Sequence, residues 1–255
     1  MNAMITRLHL EIQKQPNDTT CGPTCLQAVY DYYGDAIGLK QVIEEVKYLE
    51  DGGTLAVLLG CHALEKGYDA MIHTFDLQVF DPTWFQTKKP MLLDKLAEQA
   101  ESNKKAKIRF TSRAYMEFIK AGGKIQFKDL TNSLIRRLLK KSQPIITGLS
   151  ATYLYGTARE RQIGDKLVYD DIHGEPSGHF VVLCGYDIKE RTALLADPLR
   201  PNPISDDQIY SVYLNKLIIS IMLGSITYDA NLLVVTPPGK RKGGQRVRPG
   251  HHRKS

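Results

Sequence analysis

No run of about 18 apolar residues occurs in the chain, so no membrane-spanning helix is expected. The residues from Met1 to Arg7 hold no apolar core of signal-peptide length, so export is not expected and the chain reads as cytoplasmic. Cysteine is scarce, with four residues in all: Cys21, Cys25, Cys61 and Cys184. In a reducing compartment these are read as thiols and not as a disulfide framework. Internal repeats are absent. Acid is missing from one segment in particular: Lys240 to Ser255 carries Lys240, Arg241, Lys242, Arg246, Arg248, Arg253 and Lys254 with no Asp or Glu.

That last absence changes the meaning of the overall charge. The net charge is +6 and the sequence pI about 9.0, values that by themselves invite a nucleic-acid reading. The seven cations of the tail exceed the whole net charge, so residues 1–239 are near neutral. Composition predicts a solvated, disordered tail over 240–255, one able to contact acidic partners. The rest is ordinary for a soluble globular protein, at 42% hydrophobic and 24% charged residues. Its 255 residues suit one large domain, or one domain carrying an insertion, with a core that needs no disulfides.

Periodicity predicts a short strand over 8–12 and a helix over 22–33. Pro23 suits the first turn of that helix and Gly34 the position past its end. Leu26, Val29, Tyr30 and Tyr33 give it one apolar stripe. Further helices are expected over 39–49, 55–66, 90–103, 109–120 and 131–140. Strands are expected over 70–75, 144–149, 179–186, 192–196 and 231–236; 217–223 suits either type. The Lys- and Glu-rich stretch 80–130 reads as a helical insertion or lid on a domain spanning 1–239. Helices first and strands later predict an α+β fold and not a doubly wound sheet.

Four residues carry chemistry. Cys21 falls at a helix start, where unpaired N–H groups and the dipole stabilise a thiolate, and Gly22 lets a substrate backbone come close. Gln15, six residues earlier, can aim a side-chain N–H beside that thiolate and complete an oxyanion hole with the Cys21 N–H. Gln13 is the weaker choice by spacing. His179 opens a strand after Gly178 and can act as the base. If 179–186 and 192–196 pair as a hairpin, Asp197 comes beside His179 and orients the imidazole. Each feature alone is weak, because a lone loop Gln, a strand-start His or an Asp-Pro turn is more often structural.

Their order is more specific. Gln15-x5-Cys21-Gly22-Pro23, then Gly178-His179-Phe180-Val181-Val182 with Gly185-Tyr186-Asp187, then Asp197-Pro198, resembles the C39 peptidase family of papain-like cysteine peptidases. The resemblance covers roughly 10–80 and 130–235. It implies a papain-like fold with Cys21 as nucleophile, His179 as base, Asp197 as orienting group and Gln15 as oxyanion donor. Gly22 and Gly178 would flank a peptide or amide substrate, and no cofactor or metal is implied. The chain lacks a transporter region and carries the 80–130 helices, so the stand-alone C39-like group is the nearer comparison. Hydrolysis through an acyl-enzyme is the first reading; acyl transfer on the same site, or a non-catalytic peptide-binding module, are the alternatives.

Other residues have blander readings. Cys21-x3-Cys25 with Cys61 and His62 lacks the tight knuckle spacing of a zinc site. Cys184 and Cys61 read as core. His173 belongs to a polar loop, and Trp84 and Phe85 to a buried patch of the insertion. Tyr153, Tyr155, Arg159 and Arg161 are candidates to meet substrate.

Overall fold

The computed structural model describes residues 5–50, 52–86, 92–164, 166–227 and 229–239; the tail at 240–255 lies outside them. The elements run β1 (Ile5–Arg7), α1 (Cys21–Tyr32), α2 (Leu39–Glu45), α3 (Ala56–Glu65), β2 (Asp69–Thr74), α4 (Leu92–Ser102), α5 (Ala106–Lys120), β3 (Lys124–Phe127) and α6 (Asn132–Leu139). Then follow β4 (Ile145–Ser150), α7 (Ala151–Tyr155), β5 (Glu160–Ile163), β6 (Lys166–Tyr169), β7 (Gly178–Asp187), β8 (Thr192–Ala196), β9 (Ile209–Tyr213), α8 (Leu214–Leu223) and β10 (Asn231–Thr236). Short three-ten helices occupy Pro82–Phe85 and Gly224–Thr227.

Helix α1 is the centre of the molecule. Pro23 falls in its first turn, where the helix ladder has no use for the missing N–H. Gly34, at φ +83°, takes the left-handed turn beyond its end. The predicted single stripe is a correction: every residue from Cys21 to Tyr30 is buried. The helix is enclosed by α2, α3 and β7. Its polar residues are therefore satisfied internally, as burial demands. Thr24 Oγ1 donates to Thr20 O at 2.8 Å, and Gln27 Nε2 donates to Asp31 Oδ2 at 2.6 Å.

The main sheet runs β3-β2-β10-β4-β7-β8-β9, antiparallel except for the β2–β3 pair. Strand β4 covers β7 from Gly178 to Leu183; β1 takes over along Gly185 to Asp187. This corrects the strand expected at 8–12. Its alternation is real, since Leu8 and Leu10 are buried, but the ladder pairing belongs to Ile5–Arg7. Helix α2 stops at Glu45, short of 49, because Val46 turns extended at ψ 133° and is itself buried. The ambiguous 217–223 is part of α8, and β3, α7, β5, β6 and β9 are elements that periodicity did not mark.

The fold is α+β, as helices early and strands late imply. Helix α3 lies on β2 and β10, and α8 on β4 and β8. Helices α4 and α5 share the core through Leu96, Ile108, Tyr115 and Phe118. Beyond Asn17 the chain is led by pairing and turns to bring the start of α1, the start of β7 and the end of β8 together.

Candidate active site

The β7–β8 hairpin sets the second half of the site. Its turn is closed by Asp187 Oδ1, which accepts from the N–H groups of Lys189 at 2.8 Å and Glu190 at 3.1 Å. The antiparallel register then carries Asp197 back to the strand start, and His179 Nε2 lies 2.8 Å from Asp197 Oδ1. Asp197 is fully buried, yet every lone-pair direction is used. Leu199 N–H donates to Oδ1 at 2.9 Å, while the hydroxyls of Tyr155 and Tyr210 donate to Oδ2 at 2.8 and 2.6 Å. Burial works against the charge on this carboxylate. The His179 hydrogen bond and charge, with the Tyr210 and Leu199 donors, outweigh it and hold the pKa below the ordinary value.

His179 shows the complementary balance. Burial disfavours its cation, but hydrogen bonds to Asp197 and to Cys21, and the charges behind them, push the imidazole up. With Nε2 committed to Asp197, Nδ1 is the nitrogen left for the Cys21 thiol. Cys21 opens α1, where the first amides are not used by the helix ladder. Thiol, imidazole and carboxylate thus converge from positions 21, 179 and 197.

Gln15 is buried. Its backbone N–H donates to Pro198 O at 2.9 Å, which ties its loop to the residue after Asp197. Its Nε2 donates to Asn17 O at 3.0 Å; an amide carries a second N–H, which leaves one donor for a ligand. Gln13 differs: its side chain reaches Gln27 at 3.3 Å. A cleft of about 170 Å³ is lined by Cys21, Gly178 and His179 together with Gly52, Gly53 and Asp229. Gly22 does not line it. A Cβ there would stand 2.5 Å from Thr54 Cγ2 and 3.3 Å from Leu59 and Phe180, so this glycine is accounted for by close packing of α1.

The sequence pattern of the Peptidase_C39 like family matches residues 7–217, most of the chain. The chain belongs to the Peptidase_C39 like family. No curated protein matches it. Among solved structures it is similar to a Bacillus anthracis protein provisionally classed as a C39-like peptidase, at 15% identity and TM-score 0.47 over 92% of this chain and 99% of that one. It is also similar to xylellain, a cysteine protease from Xylella fastidiosa, at 14% identity and TM-score 0.44 over 92% and 86%. A double-glycine motif protease from an AMS/PCAT transporter gives 15% identity and TM-score 0.43 over 91% and 95%.

Several residues of this C39-like chain stand apart from the site. Cys25 donates its thiol to Phe180 O at 3.3 Å, and burial pushes that thiol well up. Cys61 lies near Ala114 O, and His62 joins Tyr30 Oη at 2.9 Å to Glu45 at 3.0 Å. Among the described residues no three His, Cys, Asp or Glu are grouped to hold a metal. Also among the described residues, no helix is long and apolar enough to cross a membrane. Cys184 is buried core. His173 is exposed beside Asp170, and Trp84 and Phe85 pack on Phe80. Arg159 and Arg161 brace their own loop, on the carbonyls of Asp171 and Ile172 and on Asp170, and Tyr153 is exposed.

Tyr155 and Tyr210 are the site residues that sequence reasoning missed in role. Tyr155 was set among residues facing substrate, and it faces Asp197 instead. Tyr210 lies in β9, an alternating buried-exposed strand whose signal, Ile209 to Tyr213, was present in the sequence. Asp229 carried no local signal at all.

Proposed function

We propose that this C39-like chain is a cysteine peptidase or amidase working through an acyl-enzyme on Cys21. The reading is carried by one observation: His179 Nε2 lies 2.8 Å from Asp197 Oδ1, and His179 shares the wall of one cleft with Cys21. Cys21 Sγ gives its proton to His179 and attacks the substrate carbonyl. The oxyanion that forms is met by the Cys21 N–H and by the second N–H of Gln15 Nε2. His179 passes the proton to the departing amine as the C–N bond breaks and a thioester remains. Water then attacks that thioester, loses a proton to His179 and releases the acid. Gly178, on the cleft wall, offers its backbone to an extended substrate, while Gly22 sets the position of the first turn of α1.

The test is selective alkylation. Iodoacetamide followed by peptide mapping is expected to modify Cys21 ahead of Cys25, Cys61 and Cys184, whose thiols burial pushes up and keeps protonated. His179→Ala should slow modification of Cys21 by at least about 10²-fold, the lower range for loss of a positioned base. Equal modification of all four thiols, or no effect of His179→Ala, contradicts the reading.

A further inference from the structure

The cleft holds an acid that the proposed reaction does not use. Asp229 precedes β10 and lines the same cleft as Cys21 and His179. It is 5% exposed and accepts hydrogen bonds from two neutral amides. Ala56 N–H, at the start of α3, donates to its two oxygens at 3.3 and 3.1 Å, and Asn231 Nδ2 donates to Oδ1 at 2.7 Å. Gly148 keeps this floor clear, since a Cβ there would fall 2.8 Å from Asp229 Cγ and 2.6 Å from its carbonyl oxygen.

The charged groups around Asp229 leave its charge incompletely balanced. Burial raises its pKa to about 7, and Asp76 adds to the rise. Lys107, reaching the cleft from α5, pulls in the other direction and does not cancel it. Asp18 lines the cleft too, and the half-buried Glu160 lies near enough to Asp18 and His179 to feel both charges. The cleft wall therefore sets two carboxyls, Asp18 and Asp229, against Lys107 and a His179 already engaged by Asp197. A cation brought in by a substrate would restore the charge balance that burial denies Asp229, and a neutral side chain of equal length would not.

We propose that Asp229 is a specificity-determining residue, selecting substrates that place an ammonium or guanidinium group in this cleft beside the scissile carbonyl. The inference rests on the acyl-enzyme reading of the same site. A cleft of about 170 Å³ has room for one long side chain and not for a large ligand. Asp229 also holds the first amide of α3, and that structural duty alone would make no distinction between charged and neutral substrates.

The probes are dipeptidyl fluoromethyl ketones that differ only in lysine against Nε-acetyl-lysine, placed in turn at each of the two residues before the reactive carbonyl. The readout is the rate of Cys21 modification by intact mass at mildly alkaline pH. At one of the two positions the full-length protein is expected to favour lysine by about ten-fold. Asp229→Asn should bring that ratio close to one, and Asp18→Asn should reduce it less. Equal rates for the two probes in the unmodified sequence overturn the proposal without recourse to any variant, as does a ratio that survives in Asp229→Asn. Modification of Cys21 by both probes with no preference would leave the acyl-enzyme reading standing and remove this one. Failure of either probe to reach Cys21 while other thiols react would remove both.

Discussion

Asp197 has four donors on two oxygens, two of them tyrosine hydroxyls that converge from α7 and β9. A buried carboxylate is tolerable only when its lone pairs are used, and each use also fixes the direction of the ring it holds. Asp197→Ala would leave the ring N–H and two buried hydroxyls without an acceptor. Asp197→Asn would keep Oδ1 for the ring, and the tyrosine hydroxyls can turn to accept from the new amide. The alanine variant is expected to slow Cys21 alkylation by about 10²-fold and the asparagine variant by clearly less. Rates of iodoacetamide modification rank them, and an inverted ranking would show that Asp197 does not act by orienting His179. At this scale the sequence was informative where chemistry and order coincide. Cys21, His179 and Asp197 were each ambiguous alone and became legible as an ordered set. Tyr155 and Tyr210 were not, because a phenol that serves a carboxylate across the sheet looks like any other aromatic in its own segment.

Helix α1 and the β7–β8 hairpin were legible as elements, since Pro23, Gly34 and the Asp187 turn punctuate them locally. The hairpin β5–β6 was not, because it stands outside the main sheet and leaves Ile163, Leu167 and Tyr169 exposed, so no burial pattern marks it. Nor could periodicity reveal that α1 is buried on all sides, which depends on α2 and α3 closing over it. That enclosure gives Gly22 its weight. The nearest obstacle to a Cβ is Thr54 Cγ2, and Thr54 is not free to yield, because its hydroxyl donates to Lys47 O at 3.0 Å. Gly22→Ala must therefore shift the first turn of α1 or the loop that carries Thr54. A cost of about 1 to 3 kcal/mol is expected, in the range of overpacked cores. Urea unfolding measures it, and Cys21 alkylation should slow in the same variant because the displaced turn carries the thiol. A variant as stable and as reactive as the original would show that the turn has slack that the packing does not suggest.

Across the whole molecule, the near-neutral body conceals buried acids that the chain carries at a cost. Asp76, after β2, is almost fully enclosed. Its Oδ1 accepts from Gln78 N–H at 2.9 Å, and its Oδ2 finds no hydrogen-bond partner among the described residues. Burial raises its pKa to about 6, against the amides of Gln78 and Val79 that lower it. Asp229, raised to about 7, behaves alike. In the unfolded chain both lose their protons near pH 4, as free carboxyls do. Between about pH 4 and pH 6 the folded state thus holds a proton on Asp76 that the unfolded state has released, and stability falls as pH rises through that window. The loss is complete above the folded value and amounts to about 2 to 3 kcal/mol for a shift of this size. Asp76→Asn keeps the acceptor for Gln78 and Val79 and abolishes the titration. It should match the original sequence near pH 4 and exceed it by about 2 kcal/mol at pH 8, read from urea midpoints at the two pH values. The opposite slope, with Asp76→Asn weaker at pH 8, would mean that the Asp76 carboxylate is held as a favourable charge by a partner, and the account of burial given for both acids would fail with it.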